Sequence, residues 1–447
     1  MSEVIIRGGT MILTVDPDSH VLAGDIAVKD DVLVQVGGDY TPSTSDYEIL
    51  DAEGCIVMPG LVQSHVHMCQ TLARGRADDL ALLDWLRNVV WPYEASLDRS
   101  AMTAAAQLAC TELLLGGTTA ILDMGTVHHT DALFEVARDA GLRASIGKAM
   151  MDEDDPQAPA NLRETTESSL SESARLCASW HGSENGRLRY AYAPRFVLSC
   201  TDDLLREVST AAAKAGVHIH THSSENRDEI AEVKRRKGVD NIVHLHNVGV
   251  TGDNVCLAHC VWLDDNEREL LRDTGTHVLH CPSSNLKLGS GIAEIPELLA
   301  EGISVSIGAD GAPCNNNLDA FVEMRLAALL HKPRRGAEAM RAATVVKMAT
   351  MGGAIALGQA DLIGSLEVGK KADVICVDTR GPHVAPVSNP YSALVYACRS
   401  ADVRHVVVDG RVVVRDKTLL TLDVDTVLTS ARGQAQEIGR ASCRERV

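Results

Sequence analysis

Residues 58–67 read Met58-Pro59-Gly60-Leu61-Val62-Gln63-Ser64-His65-Val66-His67. A proline–glycine turn releases a short apolar run that ends in two histidines one residue apart. On a strand, side chains at i and i+2 point the same way, so His65 and His67 can both bind one ion. The run predicts a strand over 60–65 with that pair at its C-terminal end.

Outward from this stretch, similar apolar runs fall at 118–123, 142–148, 188–193, 217–222, 254–259, 277–281 and 304–310. Helical periodicity lies between most of them, as at 202–215 and 265–274. Eight strands mostly alternating with helices predict an α/β fold, a (β/α)8 TIM-like barrel. A doubly wound open sheet is the alternative, but no glycine-rich phosphate fingerprint follows the first strand.

The two chain ends differ from this middle. Short β-rich runs occupy 4–6, 11–15, 25–28 and 32–36, then 372–377, 403–408 and 411–414, the last two joined by the hairpin turn Asp409-Gly410. They predict a small β-sandwich module built from both ends. The expected division is 1–57 for its first part, 58–365 for the metal-dependent barrel, and 366–437 for its second part and a C-terminal helix. Residues 438–447, IGRASCRERV, break that helix and add three arginines. They read as a non-native tail, a translated adapter read-through.

The chain has 447 residues and a formal net charge of -19. So acidic a surface repels phosphate backbones, which argues against a nucleic-acid partner. No run reaches the roughly 18 apolar residues of a membrane helix, and no secretory signal is evident. Twelve cysteines lack any C-x-x-C pair, so they read as reduced thiols of a cytoplasmic protein, not as a zinc knuckle.

In a barrel of this kind chemistry collects at the C-terminal ends of the strands. The first ends His65-Val66-His67, the fifth His218-Ile219-His220-Thr221-His222, the sixth Ala258-His259-Cys260, and the eighth Gly308-Ala309-Asp310. Imidazoles and a carboxylate on one rim suit a borderline-soft divalent metal. Of the three histidines on the fifth strand only His222 is high enough to reach such an ion. His218 and His220 read as barrel filling or support.

Residues 58–67 resemble the opening signature of the amidohydrolase superfamily, and 364–373 (GSLEVGKKAD) resemble its closing signature. The likeness runs nearly to Val414. It is greatest to the branch that holds the cytosine/guanine deaminases, the S-adenosylhomocysteine and methylthioadenosine deaminases, and the triazine hydrolases. It implies one divalent metal ion, zinc or iron, with His65, His67, His222 and Asp310 as ligands. The end of the fourth strand lacks the lysine that bridges two metals in binuclear members, and Lys148 reads as an ordinary polar residue.

Catalytic roles follow from residue types. Asp310 can take a proton from water and pass one to leaving ammonia. Glu225, three residues after His222, can protonate a ring nitrogen. It also stands where a helix N-terminus favours a carboxylate. His259 can hold the attacking oxygen and stabilise the developing oxyanion.

For the substrate, the resemblance points two ways. Trp85 matches a position whose indole covers the base, or is a core aromatic. Glu94 matches a position that binds ribose hydroxyls, or is a solvated helix carboxylate. Gln70 and Arg195 match guanine deaminases, where a glutamine and an arginine contact the base. Cys314 lies in the loop after the eighth strand, as a substrate contact or as a small buried residue. Arg143 is a candidate for a substrate carboxylate, or surface. The expected function is hydrolytic deamination of an aminopurine nucleoside. A guanine or oxopurine deaminase, a triazine hydrolase and a non-catalytic scaffold barrel are the alternatives. A small purine-like substrate and a homo-oligomer are expected as partners.

Overall fold

A computed structural model describes residues 3–444. Eight parallel strands follow one another in sequence order: Leu61–Val66, Thr118–Met124, Arg143–Gly147, Leu188–Pro194, His218–Ser223, Val255–His259, His277–His280 and Val305–Ile307. Each expected run is a strand. The ring closes where Val66 bridges Asp310 in parallel and the Asp310 N–H donates to the His65 carbonyl at 3.0 Å. Closure brings the first and eighth strands unusually near. A Cβ on Gly308 would lie 2.6 Å from the His65 carbonyl oxygen, so only glycine fits.

Why these runs are strands is visible in their burial. Thr118–Met124 and Arg143–Gly147 are buried at every position, as parallel strands covered on both faces require. The covering helices are capped at their sequence-marked ends. Asp264 caps the helix Asp265–Thr274 through a capping box with Glu267, and Gly275 ends it in the left-handed conformation.

The chain ends do meet. Val374–Asp378 pairs antiparallel with Cys55–Pro59, with Cys376 opposite Val57. The module's strands form one continuous hydrogen-bonded path that also takes in Glu3–Leu13, Val21–Lys29, Val32–Val36, Val403–Val408 and Arg411–Arg415, with Tyr47–Asp51 parallel to the first of these. Val4, Ile6, Ile26, Val28, Val57 and Val374 fill its own core. Three of its strands, Tyr47–Asp51, Cys55–Pro59 and the two-residue Thr418–Leu419, escaped the sequence reading. The first has a polar, half-exposed alternation; the second runs almost directly into the barrel across Gly60.

Two expectations are corrected. The final helix spans Val424–Arg444, so there is no break at Ile438, and it packs along the helix Arg99–Leu115. The rest of the expected tail, 445–447, lies outside the described residues. Arg143 is neither pocket lining nor surface. It is 1% exposed and holds Asp373 bidentately at 2.8 and 2.9 Å and Asp409 at 2.8 Å. It therefore ties the third barrel strand to the re-entry of the β module. Among the described residues no helix is long and apolar enough to cross a membrane.

Candidate metal and active site

Three histidines converge at the rim with their outer nitrogens already engaged. His67 Nδ1 donates to the Met124 carbonyl at 2.7 Å, and His222 Nδ1 donates to the Arg195 carbonyl at 2.6 Å. His65 Nδ1 lies 2.7 Å from His220 Nε2. A carbonyl only accepts, so the Nδ1 of His67 and of His222 carries the proton, and in a neutral ring each Nε2 is left as a lone pair. Those two Nε2 atoms are 3.3 Å apart. Asp310 Oδ1 lies 3.3 Å from His67 Nε2 and 3.4 Å from His65 Nε2. His65 Nε2 is buried without a hydrogen-bond partner.

This is a cluster of acceptors facing one another in a buried place, which a cation satisfies and water alone does not. The groups His65–His67–His222 and His65–His259–Asp310 each bring one ligand atom per residue within 4.8 Å of the others. The cluster can hold a metal ion. Burial keeps His65 at about 4 and His222 well below the ordinary imidazole pKa, so both stay neutral and free to ligate.

The ends of the strands are bent to aim these groups. His259 and Asp310 have φ of +78° and +65°. Left-handed backbone at a non-glycine residue costs on the order of 1 kcal/mol or more and clusters at functional sites. Asp310 is held by the Ser284 hydroxyl at 2.6 Å and the Gly311 N–H at 2.8 Å. His259 Nδ1 donates to Asn285 Oδ1 at 2.9 Å, which turns Nε2 toward Glu225, 3.5 Å away, and Asp310, 4.0 Å away. In that tautomer His259 Nε2 can accept a hydrogen bond from water; stabilising an oxyanion requires its protonation.

Glu225 hangs over the cluster. The Ser290 hydroxyl donates to it at 3.2 Å, and its own N–H donates to Glu229 at 2.8 Å. Burial, with Asp310 nearby, pushes its carboxyl up to about 8. Glu229 completes a capping box with Asn226 at the start of the helix Arg227–Lys237. Glu225 itself precedes the N-cap Asn226, and the carboxylate that serves the helix start is that of Glu229.

The pocket above is walled by Leu82, Trp85, Leu86 and Phe196 on its apolar side and by Arg195 and Glu229 on its polar side. Trp85 and Leu86 sit where a π-helical turn, Leu86–Val90, interrupts the helical segment 82–95. Such turns are frequent at functional sites. Gln70 and Glu94 do not line the pocket; they lie behind Arg195. Cys314 does not line it either, being fully buried with Sγ on the Gly311 carbonyl at 3.0 Å. Lys148 is turned away onto Glu164 at 2.7 Å. Ser284, Asn285 and Ser290 were not foreseen as site residues. Ser284 and Asn285 lie in the polar run 281–285 that directly follows the seventh strand.

A parallel barrel with an acceptor cluster at its C-terminal rim defines the class of metal-dependent barrel hydrolases. Residues 56–413 match the model of the amidohydrolase family, and the chain belongs to it. A relative named 5-methylthioadenosine/S-adenosylhomocysteine deaminase, from Syntrophobacter fumaroxidans, is 41% identical over 96% of this chain and 97% of its own. A 5′-deoxyadenosine deaminase from Methanosarcina acetivorans is 38% identical over 98% and 99%. Among solved structures, an adenosine deaminase from Xanthomonas campestris with bound zinc superposes with a TM-score of 0.91. It is 30% identical and is covered, as this chain is, over 98%.

Proposed function

We propose that the protein is a hydrolytic deaminase of an aminopurine nucleoside of the S-adenosylhomocysteine, methylthioadenosine or 5′-deoxyadenosine type, and that one zinc ion is held by His65, His67, His222 and Asp310. The observation that carries this reading is the acceptor cluster beneath a buried carboxyl, Glu225, in a pocket with apolar walls. A divalent ion there supplies the Lewis acidity that brings the pKa of a water toward neutrality.

The residues do the rest. Leu82, Trp85 and Phe196 bury the faces of a planar ring. Glu225 donates a proton to the ring nitrogen next to the amino-bearing carbon, which makes that carbon electrophilic. His259 Nε2 accepts a hydrogen bond from the attacking water, and Asp310 takes its proton. The new C–O bond forms, Asp310 hands the proton to the amine, the C–N bond breaks as the new hydroxyl returns its proton to the Glu225 carboxylate, and ammonia leaves. A ring carbonyl remains. Amide hydrolysis needs no acid placed over a ring, so Glu225 favours a cyclic amidine. The names and lengths of the relatives support the nucleoside class. The eleven cysteines whose side chains the structure describes are unpaired, which supports a reducing, cytoplasmic setting.

The test is ammonia release by the zinc-loaded protein from S-adenosylhomocysteine, methylthioadenosine, 5′-deoxyadenosine, adenosine, guanine and melamine. Turnover of the adenosine-type nucleosides above the others is expected. Silence on all of them with zinc bound overturns the reading.

A further inference from the structure

Trp262, in the loop after the sixth strand, grips Glu225 from three directions. Its backbone N–H donates to the Ser224 carbonyl at 3.1 Å, and the Val261 N–H reaches the same oxygen at 2.9 Å. Ser224 immediately precedes Glu225 and turns there with a φ of +54°. The indole N–H of Trp262 donates to the Ser290 carbonyl at 2.7 Å, and the Ser290 hydroxyl donates to Glu225 Oε1 at 3.2 Å. The guanidinium of Arg227 lies over the indole face, 3.8 Å from its centre.

The fit is close at Ser290. Gly291 has a φ of +137°, and a Cβ on it would lie 2.7 Å from the indole, so only glycine lets the chain pass. The N–H groups of Ser290 and Gly291 both reach the Asn285 carbonyl, at 2.9 and 3.2 Å. The side chain of that same Asn285 holds His259 Nδ1. The loop after the seventh strand therefore fixes Glu225 relative to His259. Ser290 is 3% exposed, and its hydroxyl makes no second hydrogen bond among the described residues.

A hydroxyl that donates to Oε1 leaves the carboxyl proton on Oε2. A proton on Oε1 would instead leave the buried hydroxyl hydrogen with no acceptor, at a cost. Oε2 is the oxygen that faces the cluster, 3.5 Å from His259 Nε2.

We infer that Ser290 and Trp262 are positioning residues for the proton step: Ser290 addresses the Glu225 proton to Oε2, and the Trp262 indole N–H holds Ser290 in place. The inference rests on the deaminase reading above. When the proton passes from Oε2 to the ring nitrogen, Glu225 becomes an anion and Ser290 still donates to Oε1. The 3.2 Å contact is long for a hydroxyl donor. Bonds to charged acceptors are shorter and stronger, so this one tightens in the transition state, and a gain made there raises kcat.

The experiment compares the zinc-loaded wild type with S290A, W262F and S290A/W262F. A further replacement of Trp262, by 3-benzothienylalanine, keeps the bicyclic ring and exchanges only the N–H for sulfur, so the test survives a W262F protein that does not fold. Zinc content and urea midpoint are measured for each. kcat and KM are read from ammonia release on 5′-deoxyadenosine, methylthioadenosine and S-adenosylhomocysteine. The competitive Ki of 1-deaza-5′-deoxyadenosine is read beside them. That analogue has carbon in place of the ring nitrogen that Glu225 protonates, so its binding does not sense the proton.

S290A should lower kcat about 10-fold, the difference between a bond to a charged and to a neutral acceptor. Removing the indole N–H should lower it about 3- to 10-fold by the same bond, lost indirectly. KM and the 1-deaza Ki should stay within about 2-fold, and the double variant should lose no more than S290A alone, because Trp262 acts through Ser290. An active wild type with kcat of S290A within about 2-fold of it overturns the inference and leaves the deaminase reading standing. Losses that add in the double variant, or a 1-deaza Ki that rises as kcat falls, also overturn it, because the two residues then only hold the pocket together. Silence of the zinc-loaded wild type on all three nucleosides overturns the nucleoside reading and the inference with it.

Discussion

His220 stands directly behind His65, with its Nε2 2.7 Å from His65 Nδ1 and both rings fully buried. For His65 Nε2 to face the metal cluster as a lone pair, Nδ1 must hold the proton, and His220 is the acceptor that keeps it there. His220→Phe preserves the volume and removes the acceptor. Zinc affinity, read by competition with a chelator, should fall about 10- to 100-fold. Unchanged affinity would mean that His220 is filling alone.

Asn285 does for His259 what His220 does for His65. Asn285→Leu leaves His259 Nδ1–H with no acceptor and frees the ring to change tautomer. We expect kcat to fall about 100-fold, the range of one lost hydrogen bond at the reacting centre, with zinc content unchanged. A variant that keeps full kcat would remove His259 from the reaction.

Glu225→Gln keeps the shape of the side chain and the bond from Ser290, but it cannot deliver a proton. A loss of about 10²- to 10⁴-fold in kcat is expected, with KM little changed and zinc still bound. A loss that appears only in KM would make Glu225 a binding group.

Arg143→Ala removes the cation from a buried group with two carboxylates, Asp373 and Asp409. Breaking a buried ion pair from one side costs about 3–5 kcal/mol. Urea unfolding should show that loss, and the Arg143→Ala protein should keep its zinc affinity because the rim lies at the opposite end of the strands. A change below about 1 kcal/mol would show that the β module docks without the pair.

Glu267 is 3% exposed, and burial pushes its carboxyl up from 4.5 to about 7. Between those values the folded state binds the proton and the unfolded state does not. Stability from this group is therefore complete below pH 4.5 and falls as pH rises through 7, by about 3 kcal/mol at most. Glu267→Gln carries no such dependence. It should match the wild type at pH 5 and exceed it at pH 8 in urea midpoint. Parallel pH curves for the two proteins would contradict the assignment.

Much of the architecture was legible because it is written in local periodicity. The eight barrel strands announce themselves as short buried runs between amphipathic helices, and their order in the barrel is their order in the chain. The hairpin around Asp409-Gly410 is likewise local. Tyr47–Asp51 was not legible, because a half-exposed edge strand with Tyr, Glu and Asp lacks a clear apolar face. The continuation of the final helix past Ile438 was missed because an odd composition was read as a break.

By itself the sequence determined which residues stand at the strand ends: His65 and His67 two apart, then His222, His259 and Asp310. Side chains at i and i+2 of a strand share a face, and a barrel collects strand ends on one rim, so chemistry at that rim follows from spacing. The tertiary structure alone decided what those residues lean on and what the pocket presents. His220 behind His65 and Asn285 behind His259 depend on how neighbouring strands and loops come together. The meeting of Glu94 and Arg195, 101 residues apart, depends on how the segment 82–95 rotates over the barrel mouth. No local periodicity records that rotation. Only close packing around a buried charge pair, which cannot be left half made, selects it.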